Sequence, residues 1–349
     1  MEASSFRRWH NRMGEQRMTQ LVDTYGRGHR DLRVSLTDRC NLRCTYCMPH
    51  DFAAWLPSED LLTTDELISI IKVGVSQGID EIRLTGGEPL LRPDIVEIVS
   101  RISSIENPPI LSMTTNGLAL AKLAKPLFDA GLRRINISLD TLDREVFKKM
   151  TYRDRLDDVF AGIQAAKDAG LMPVKINAVL LRGINDGEVT DLLKWALAED
   201  LNLRFIEQMP LDAGGIWNRA DLITADEIFE QLGSKYKLSP VEYRGSSPAE
   251  EFLIDGGPAT VGIIGSVSRP FCGACDRIRL TSDGQLRSCL FSMKETDLRG
   301  ILRSSLSEDE KRESLISKFH VTVKEKLPGH GINDPSFIQP SRPMSAIGG

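Results

Sequence analysis

The sequence predicts an α/β fold: an incomplete (β/α)6 TIM-like barrel, with a smaller C-terminal α+β domain closing its open side. Three observations lead there. Between residues 32 and 207 short apolar runs alternate with helix-patterned stretches in six strand–helix units, and such alternation implies parallel strands joined by right-handed crossovers. The chemically distinctive stretches, namely Cys40, "TGGEP", "TTNG", "SLD" and "EQM", all follow the C-terminal ends of those runs, which form the active face of a barrel. After Pro210 the alternation stops. Six units rather than eight leave one side of the barrel open.

Taken in order, residues 1–30 read as a mobile arm. Their start, "MEASSFRRWHNRMGEQRMTQ", is polar and lacks the apolar core of an export signal, and Glu2 and Glu15 argue against a transit peptide. The partial barrel spans 31–214. "LRVSL" (32–36) is its first strand, and "TTDELISIIKVGVSQG" is a helix opened by a Thr63–Glu66 capping box and closed by Gly78. "EIRLTGGEP" (81–89) is a strand and turn, followed by a helix from Asp94. "ILSMTTNG" (110–117), "RRINISLD" (133–140), "PVKINAVL" (173–180) and "LRFIEQM" (203–209) continue the strands, with amphipathic helices at 155–169 and 188–199 among them. The C-terminal domain, 215–335, holds one helix in "LDAGGIWNRADLITADEIFEQLG" and strands and turns in "VGIIGSVSRPFCGACDRIRLTSDGQLRSCL". The tail, 336–349, is rich in Gly, Pro and Ser and is expected to be extended.

A formal net charge of −5 argues against a nucleic-acid binder that works by general attraction, so an anionic ligand must meet a local cluster of cations. Hydrophobic content of 41% and charged content of 27% are ordinary for a soluble globular chain. No apolar run approaches the length of a bilayer span. The expectation is a cytoplasmic protein with no membrane and no nucleic-acid partner. In a reducing cytosol, clustered cysteines read as metal ligands or catalytic groups rather than as disulfides.

The six cysteines fall into two triads. Cys40, Cys44 and Cys47 form C-x3-C-x2-C, and Cys272, Cys275 and Cys289 form C-x2-C-x13-C. Short-spaced thiolates of this kind hold iron–sulfur clusters, and three ligands on a cubane leave one iron open to a small molecule. A zinc site with a distant fourth ligand, or reduced thiols with no metal, are the alternatives that spacing leaves open. The five histidines, His10, His29, His50, His320 and His330, show no ligand pattern and read as surface residues. Two three-ligated cubanes use every cysteine with none left over. Arg277 and Arg279, two apart, share a face if their segment is a strand; beside an open iron they suggest a pocket for an anionic ligand rich in nitrogen and oxygen.

The first triad, with Tyr46 before its last cysteine, resembles the signature of the radical S-adenosylmethionine (SAM) superfamily. "GGEP" at Gly86–Pro89 resembles that superfamily's second motif, a Gly-Gly turn that leaves backbone groups bare to the amino and carboxylate ends of SAM. Further stretches, "DLRVSLTDRCNLRCTYCMP", "GLRRINISLD", "VKINAVLLRGIND", "FCGACDRIRLTSDGQLRSCL" and the final "IGG", resemble the GTP 3′,8-cyclase family, from about residue 30 onward.

The resemblance implies two 4Fe–4S clusters, one on Cys40, Cys44 and Cys47 and one on Cys272, Cys275 and Cys289. It implies that Tyr46, Gly87, Ser138 and Met209 contact SAM. Arg33, Arg83, Thr114, Lys175, Arg204, Arg277 and Arg279 would surround GTP, and Gly348 and Gly349 would reach into the barrel, assisting catalysis with Arg277 and Arg279. The implied lyase reaction cleaves SAM reductively to a 5′-deoxyadenosyl radical that abstracts the C3′ hydrogen of GTP. C3′–C8 bond formation then gives (8S)-3′,8-cyclo-7,8-dihydroguanosine 5′-triphosphate, the first step of molybdenum cofactor biosynthesis. It also implies an external one-electron donor, a homodimer, and transfer of product to cyclic pyranopterin monophosphate synthase. The residues agree: Arg83, Lys175 and Arg204 lie on three converging strands, and cations in one lumen need an anion to offset their burial.

One position departs from the pattern. Some relatives carry lysine where this chain has Glu81; a carboxylate facing the phosphates would weaken binding, and one facing solvent would not. Two rivals make distinct expectations. A peptide-modifying radical SAM maturase with auxiliary clusters would carry more C-terminal cysteines, and a non-catalytic protein with two zinc sites would be colourless rather than brown.

Overall fold

The computed structural model describes residues 20–48, 55–212 and 214–348. β1 (Asp31–Ser35), β2 (Glu81–Thr85), β3 (Ile110–Thr115), β4 (Arg134–Ser138), β5 (Val174–Val179) and β6 (Asn202–Ile206) lie side by side in chain order, every pair parallel. The crossovers are helical: α1 (Thr64–Ser76), α2 (Ile95–Ser103), α3 (Leu120–Ala130), α4 (Arg144–Thr151), α5 (Leu156–Ala169) and α6 (Val189–Ala198). The capping box at the start of α1 is present in both directions between Thr63 and Glu66. α3 and α4 are not among the helices read from the sequence: α3 carries Pro126 inside it, and α4 is only 8 residues long.

The C-terminal part adds α7 (Ala225–Gly233), β7 (Leu238–Pro240), β8 (Glu250–Ile254), β9 (Thr260–Ile264), β10 (Arg277–Leu280), β11 (Gln285–Arg287), β12 (Thr296–Asp297), α8 (Glu308–Lys324) and α9 (Met344–Ile347). β9 pairs parallel with β6, and β10 pairs parallel with β1. Eight adjacent parallel strands result, with β11–β12 and β8–β7 continuing antiparallel at the two edges. The barrel expected to stop at six strands therefore borrows its outer two from beyond residue 215. Its sheet runs from β12 to β7 without closing on itself.

The strands alternate strictly between the two faces. Leu32 and Val34, Ile82 and Leu84, Ile135 and Ile137, and Ile278 and Leu280 point to the helices, all at or near zero exposure. Each such aliphatic side chain contributes about 1.5–3 kcal/mol by leaving water. The intervening residues, beginning Asp31-x-Arg33-x-Ser35 and Glu81-x-Arg83-x-Thr85, face the lumen. A barrel packed only for stability fills that space with branched apolar side chains; this one lines it with charge.

Three expectations need correction. Residues 1–19 of the arm lie outside the described residues, but 20–30 are packed: Leu21 is buried, Gln20 N–H donates to Gln77 O at 3.0 Å, and His29 N–H to Leu21 O at 2.8 Å. His29 is not a surface residue but is fully buried against Asp23, because a carboxylate inside the fold satisfies its ring. The tail is not extended throughout, since Met344–Ile347 forms a helical turn and buries Ile347 in an apolar cluster with Leu211, Leu222, Val267, Phe291 and Ile332. α8, whose Ser307–Glu310 capping box was legible but not read, packs Phe319 over Gly74 of α1.

Candidate functional site

The register of β1 and β10 gives the lumen two poles. β10 runs parallel to β1 with Arg277 opposite Asp31, so Cys275 stands just before the N-terminal edge of the sheet. Cys272 shares its turn. β11 runs back antiparallel to β10 and returns the chain to that edge before Cys289. Cys40, Cys44 and Cys47 instead follow β1 at the C-terminal edge. The two triads thus stand at opposite ends of the same parallel strands, whose inner faces share one lumen.

At the first pole the "GGEP" turn is pressed against the cysteine loop. A Cβ on Gly86 would stand 2.4 Å from Thr37 O, and one on Gly87 would stand 2.4 Å from both Asp38 O and Arg39 O. Only glycine allows that approach. Gly87 N–H donates to Thr37 O at 2.7 Å and Glu88 N–H to Arg39 O at 2.8 Å. These N–H groups are committed within the fold, so the backbone the turn offers to a ligand is carbonyl oxygen.

Glu88, 1% exposed, accepts from Thr115 Oγ1 at 2.6 Å, Asn116 N–H at 2.7 Å and Leu90 N–H at 3.0 Å. It ties the turn to the end of β3, and burial pushes its carboxyl up to about 7. Tyr46 OH donates to Asp140 Oδ2 at 2.8 Å, while Val179 N–H donates to Asp140 Oδ1 at 2.8 Å; burial pushes Asp140 up to about 6. Burial also pushes the thiols of Cys40 up to about 11 and Cys47 up to about 12, and holds Cys44 well above its ordinary value. Ser138 ends β4, half-buried, and Met209 follows β6, packed against the cluster that holds Ile347.

The second pole is cationic. Burial alone would raise Cys275, but the charges of Arg277 and Lys326 together with hydrogen bonds from Arg277 bring the thiol down to about 7. Cys272 is raised by burial. Among the described residues, no three His, Cys, Asp or Glu are gathered closely enough for a single metal ion. Within each triad, however, the thiols act on one another's charge. Three mutually acting thiols, one short of the four ligands a structural zinc takes, suit a cluster with an open iron.

Between the poles lie the cations. Arg33 is held by Asp31 (Nη2 to Oδ2 2.9 Å), and Arg83 Nε donates to Ser112 Oγ at 3.2 Å. Arg204 meets Glu251 at 3.1 Å, and Thr114 Oγ1 accepts from Asn136 Nδ2 at 3.4 Å. Desolvation, then mutual repulsion, brings Lys175 down to about 8 and Arg83 and Arg279 down to about 9. Arginine keeps its proton in proteins, so for the two arginines these depressions express the free-energy cost of burying their charge and crowding it against others. Arg277 Nη2 and Asn177 Oδ1 are buried without a hydrogen-bond partner. A lumen with surplus positive charge and an unmet donor on Arg277 is built for an anion.

Two further residues belong here. Arg134 on β4 was missed, although the period of two in "RRINIS" places it beside Asn136 and Ser138. Glu81 faces the lumen: burial and Asp31 raise its carboxyl, and Arg134 opposes them. From the tail, Gly348 C=O accepts from Arg279 Nη1. Gly348 has φ +87°, and a Cβ there would stand 2.9 Å from Thr85 Cγ2 and 3.0 Å from Ser35 Cβ. Gly349 lies outside the described residues.

The architecture and motifs have known counterparts. Residues 34–196 match the Radical SAM superfamily model, and residues 201–332 match Molybdenum Cofactor Synthesis C. A Streptomyces coelicolor protein named GTP 3′,8-cyclase is 55% identical over 332 residues, covering 94% of this chain and 96% of its own. A Mycolicibacterium smegmatis protein of the same name is 51% identical over 337 residues, covering 94% and 92%. The crystal structure of Streptococcus suis SuiB bound to S-adenosylmethionine shares the fold, with a TM-score of 0.57 at 13% identity over 84% of this chain and 68% of that one. With two relatives above half identity across nearly its whole length, this chain belongs to the GTP 3′,8-cyclase family of the radical SAM superfamily.

Proposed function

We propose that the chain is a radical SAM lyase that converts GTP to (8S)-3′,8-cyclo-7,8-dihydroguanosine 5′-triphosphate, the first step of molybdenum cofactor biosynthesis. The observation that carries this reading is the single cationic lumen with a cysteine triad at each end. Cys40, Cys44 and Cys47 would hold the 4Fe–4S cluster that engages SAM, and Cys272, Cys275 and Cys289 the second. When bound, the first cluster and SAM together would supply a carbon radical that takes the C3′ hydrogen of GTP; closing the C3′–C8 bond then requires one further electron, from the external donor, and one proton to give the product.

The protein's own part is placement and exclusion of water. Gly87 offers its carbonyl to the methionine end of SAM, while Tyr46, held by Asp140, Ser138 and Met209 shape the rest of that pocket. Arg83, Lys175 and Arg204 take the triphosphate, with Arg33 and Thr114 beside them, and Arg277 and Arg279 face the guanosine near the second cluster. Gly348, fixed by Arg279, fills the space between Ser35 and Thr85 and keeps water from the reacting carbons; Gly349 would continue that path. An external one-electron donor, a homodimer, a cytoplasmic location and hand-over to cyclic pyranopterin monophosphate synthase complete the reading. No helix among the described residues is long and apolar enough to cross a membrane.

The test is anaerobic turnover with SAM, reductant and GTP deuterated at C3′, reading 5′-deoxyadenosine by mass spectrometry. Deuterium in that product is expected. Unlabelled 5′-deoxyadenosine would rule out abstraction at C3′, and none at all from protein with both clusters would end the enzymatic reading.

A further inference from the structure

We propose that Lys326 is a fixed cationic donor to the sulfur of Cys275, locked in place by residues 20–30, and that it raises the reduction potential of the second cluster. The inference rests on the reading of Cys272, Cys275 and Cys289 as cluster ligands.

Lys326 lies just past the end of α8 and is 4% exposed. Its ammonium donates to Arg277 O at 2.6 Å and to Cys275 Sγ at 3.4 Å, and it stands 3.5 Å from His29 Nδ1. Three donors thus have three partners. No carboxylate bonds to it directly among the described residues; burial disfavours its charge, and the sulfurs of Cys275 and Cys289 are what oppose that. A buried ammonium needs a counter-charge, and here sulfur is the counter-charge.

The surroundings keep it there. His29 Nε2 is 3.1 Å from Asp23 Oδ2, which leaves Nδ1 as the acceptor that faces Lys326. Asp23 Oδ2 also accepts from Arg27 Nε at 2.6 Å, and Arg27 reaches Cys272 O at 2.8 Å and Leu327 O at 2.7 Å. One strap therefore grips the lysine's ring partner, its neighbour in the chain and the backbone of another ligand. The first pole differs: Arg43 Nη1 donates to Cys40 O at 2.7 Å, but among the described residues no lysine or arginine side chain donates to the sulfur of Cys40, Cys44 or Cys47. A cation and an N–H donor at a ligand sulfur favour the cluster form with one more electron, so the two clusters are set to different potentials by the protein.

The experiment uses the full chain with Cys40, Cys44 and Cys47 each changed to Ala, so that only the second cluster reports. Lys326→Met and Lys326→Arg are made in that background, reconstituted with iron and sulfide, and titrated by EPR-monitored reduction. The expected result is a midpoint shifted to more negative potential in Lys326→Met and restored close to the parent in Lys326→Arg. An unshifted Lys326→Met with full iron content overturns the proposal, as does an equal shift in both variants, which would be a packing effect. Should Lys326→Met retain no cluster, the parent grown on ¹⁵N-lysine is read by pulsed EPR in the reduced state. A ¹⁵N coupling absent from Lys326→Arg supports the contact, and no coupling overturns it. A parent that folds by circular dichroism but assembles no 4Fe–4S signal overturns the cluster reading itself.

Discussion

The two ends of the lumen each carry three thiols, in opposite surroundings. At the C-terminal edge, burial is joined by the carboxylates Glu88 and Asp140, and all three thiols are pushed up. At the N-terminal edge, Arg277 and Lys326 bring Cys275 down to about 7. A cluster that must give an electron away is helped by negative neighbours, and one that holds an electron-rich ligand is helped by positive ones. The difference shows how one scaffold separates two tasks: opposite edges of the same strands point into one cavity.

The largest effect should come from breaking that division. Cys44→Ala is expected to abolish 5′-deoxyadenosine formation, with or without GTP. Cys275→Ala should leave slow SAM cleavage intact and eliminate the cyclised nucleotide. Equal loss of both products in the two variants, from protein with the surviving cluster loaded, would mean that the poles are not functionally distinct.

Next in size is the tail that reaches the cavity from the second half of the chain. Gly348→Ala forces a left-handed residue to carry a Cβ against Thr85 and Ser35, and such strain and overpacking cost roughly 1–3 kcal/mol. GTP turnover should fall about tenfold or more, with iron content unchanged. Full turnover would show that the tail does not shape the cavity.

Much of this was legible. The strict alternation of β1, β2 and β10 announces one apolar and one polar face, and both triads stand out by spacing. What was not legible depends on contacts distant in sequence. Nothing in residues 20–30 says that Arg27 will reach Cys272 and Leu327, so a packed strap read as a loose arm. β9 and β10 join the barrel because their register fits β6 and β1, and no local pattern states that. Arg134 was readable from its period-two neighbours but looks like an ordinary surface charge beside Arg133.

A third, smaller effect probes the cations between the poles. Lys175 in the ligand-free protein loses its proton at about 8, because desolvation and Arg204 disfavour its charge. A bound triphosphate favours the charged form and raises that value. The complex then holds more protons than the free protein above pH 8, so GTP affinity should be flat below about pH 8. Above it, affinity should fall by up to about tenfold per pH unit. Lys175→Met should bind GTP more weakly at pH 7 and show no such fall, as measured by equilibrium dialysis.

The smallest effect tests the one acidic intruder on β2. Glu81 faces the same lumen as Arg83; burial, Asp31 and Asp276 raise its carboxyl, while Arg134 and Arg83 lower it. While it is ionised it repels the phosphates and partly neutralises Arg134. Glu81→Gln removes both effects with little change in shape. At an effective dielectric near 20, a charge roughly 10 Å away is worth about 1–2 kcal/mol before its partners compensate, so GTP should bind about two- to fivefold more tightly. The gain should shrink as salt screens the remaining field. Weaker binding instead would mean that Glu81 holds Arg134 in position, and that the carboxylate serves the site by orienting a cation.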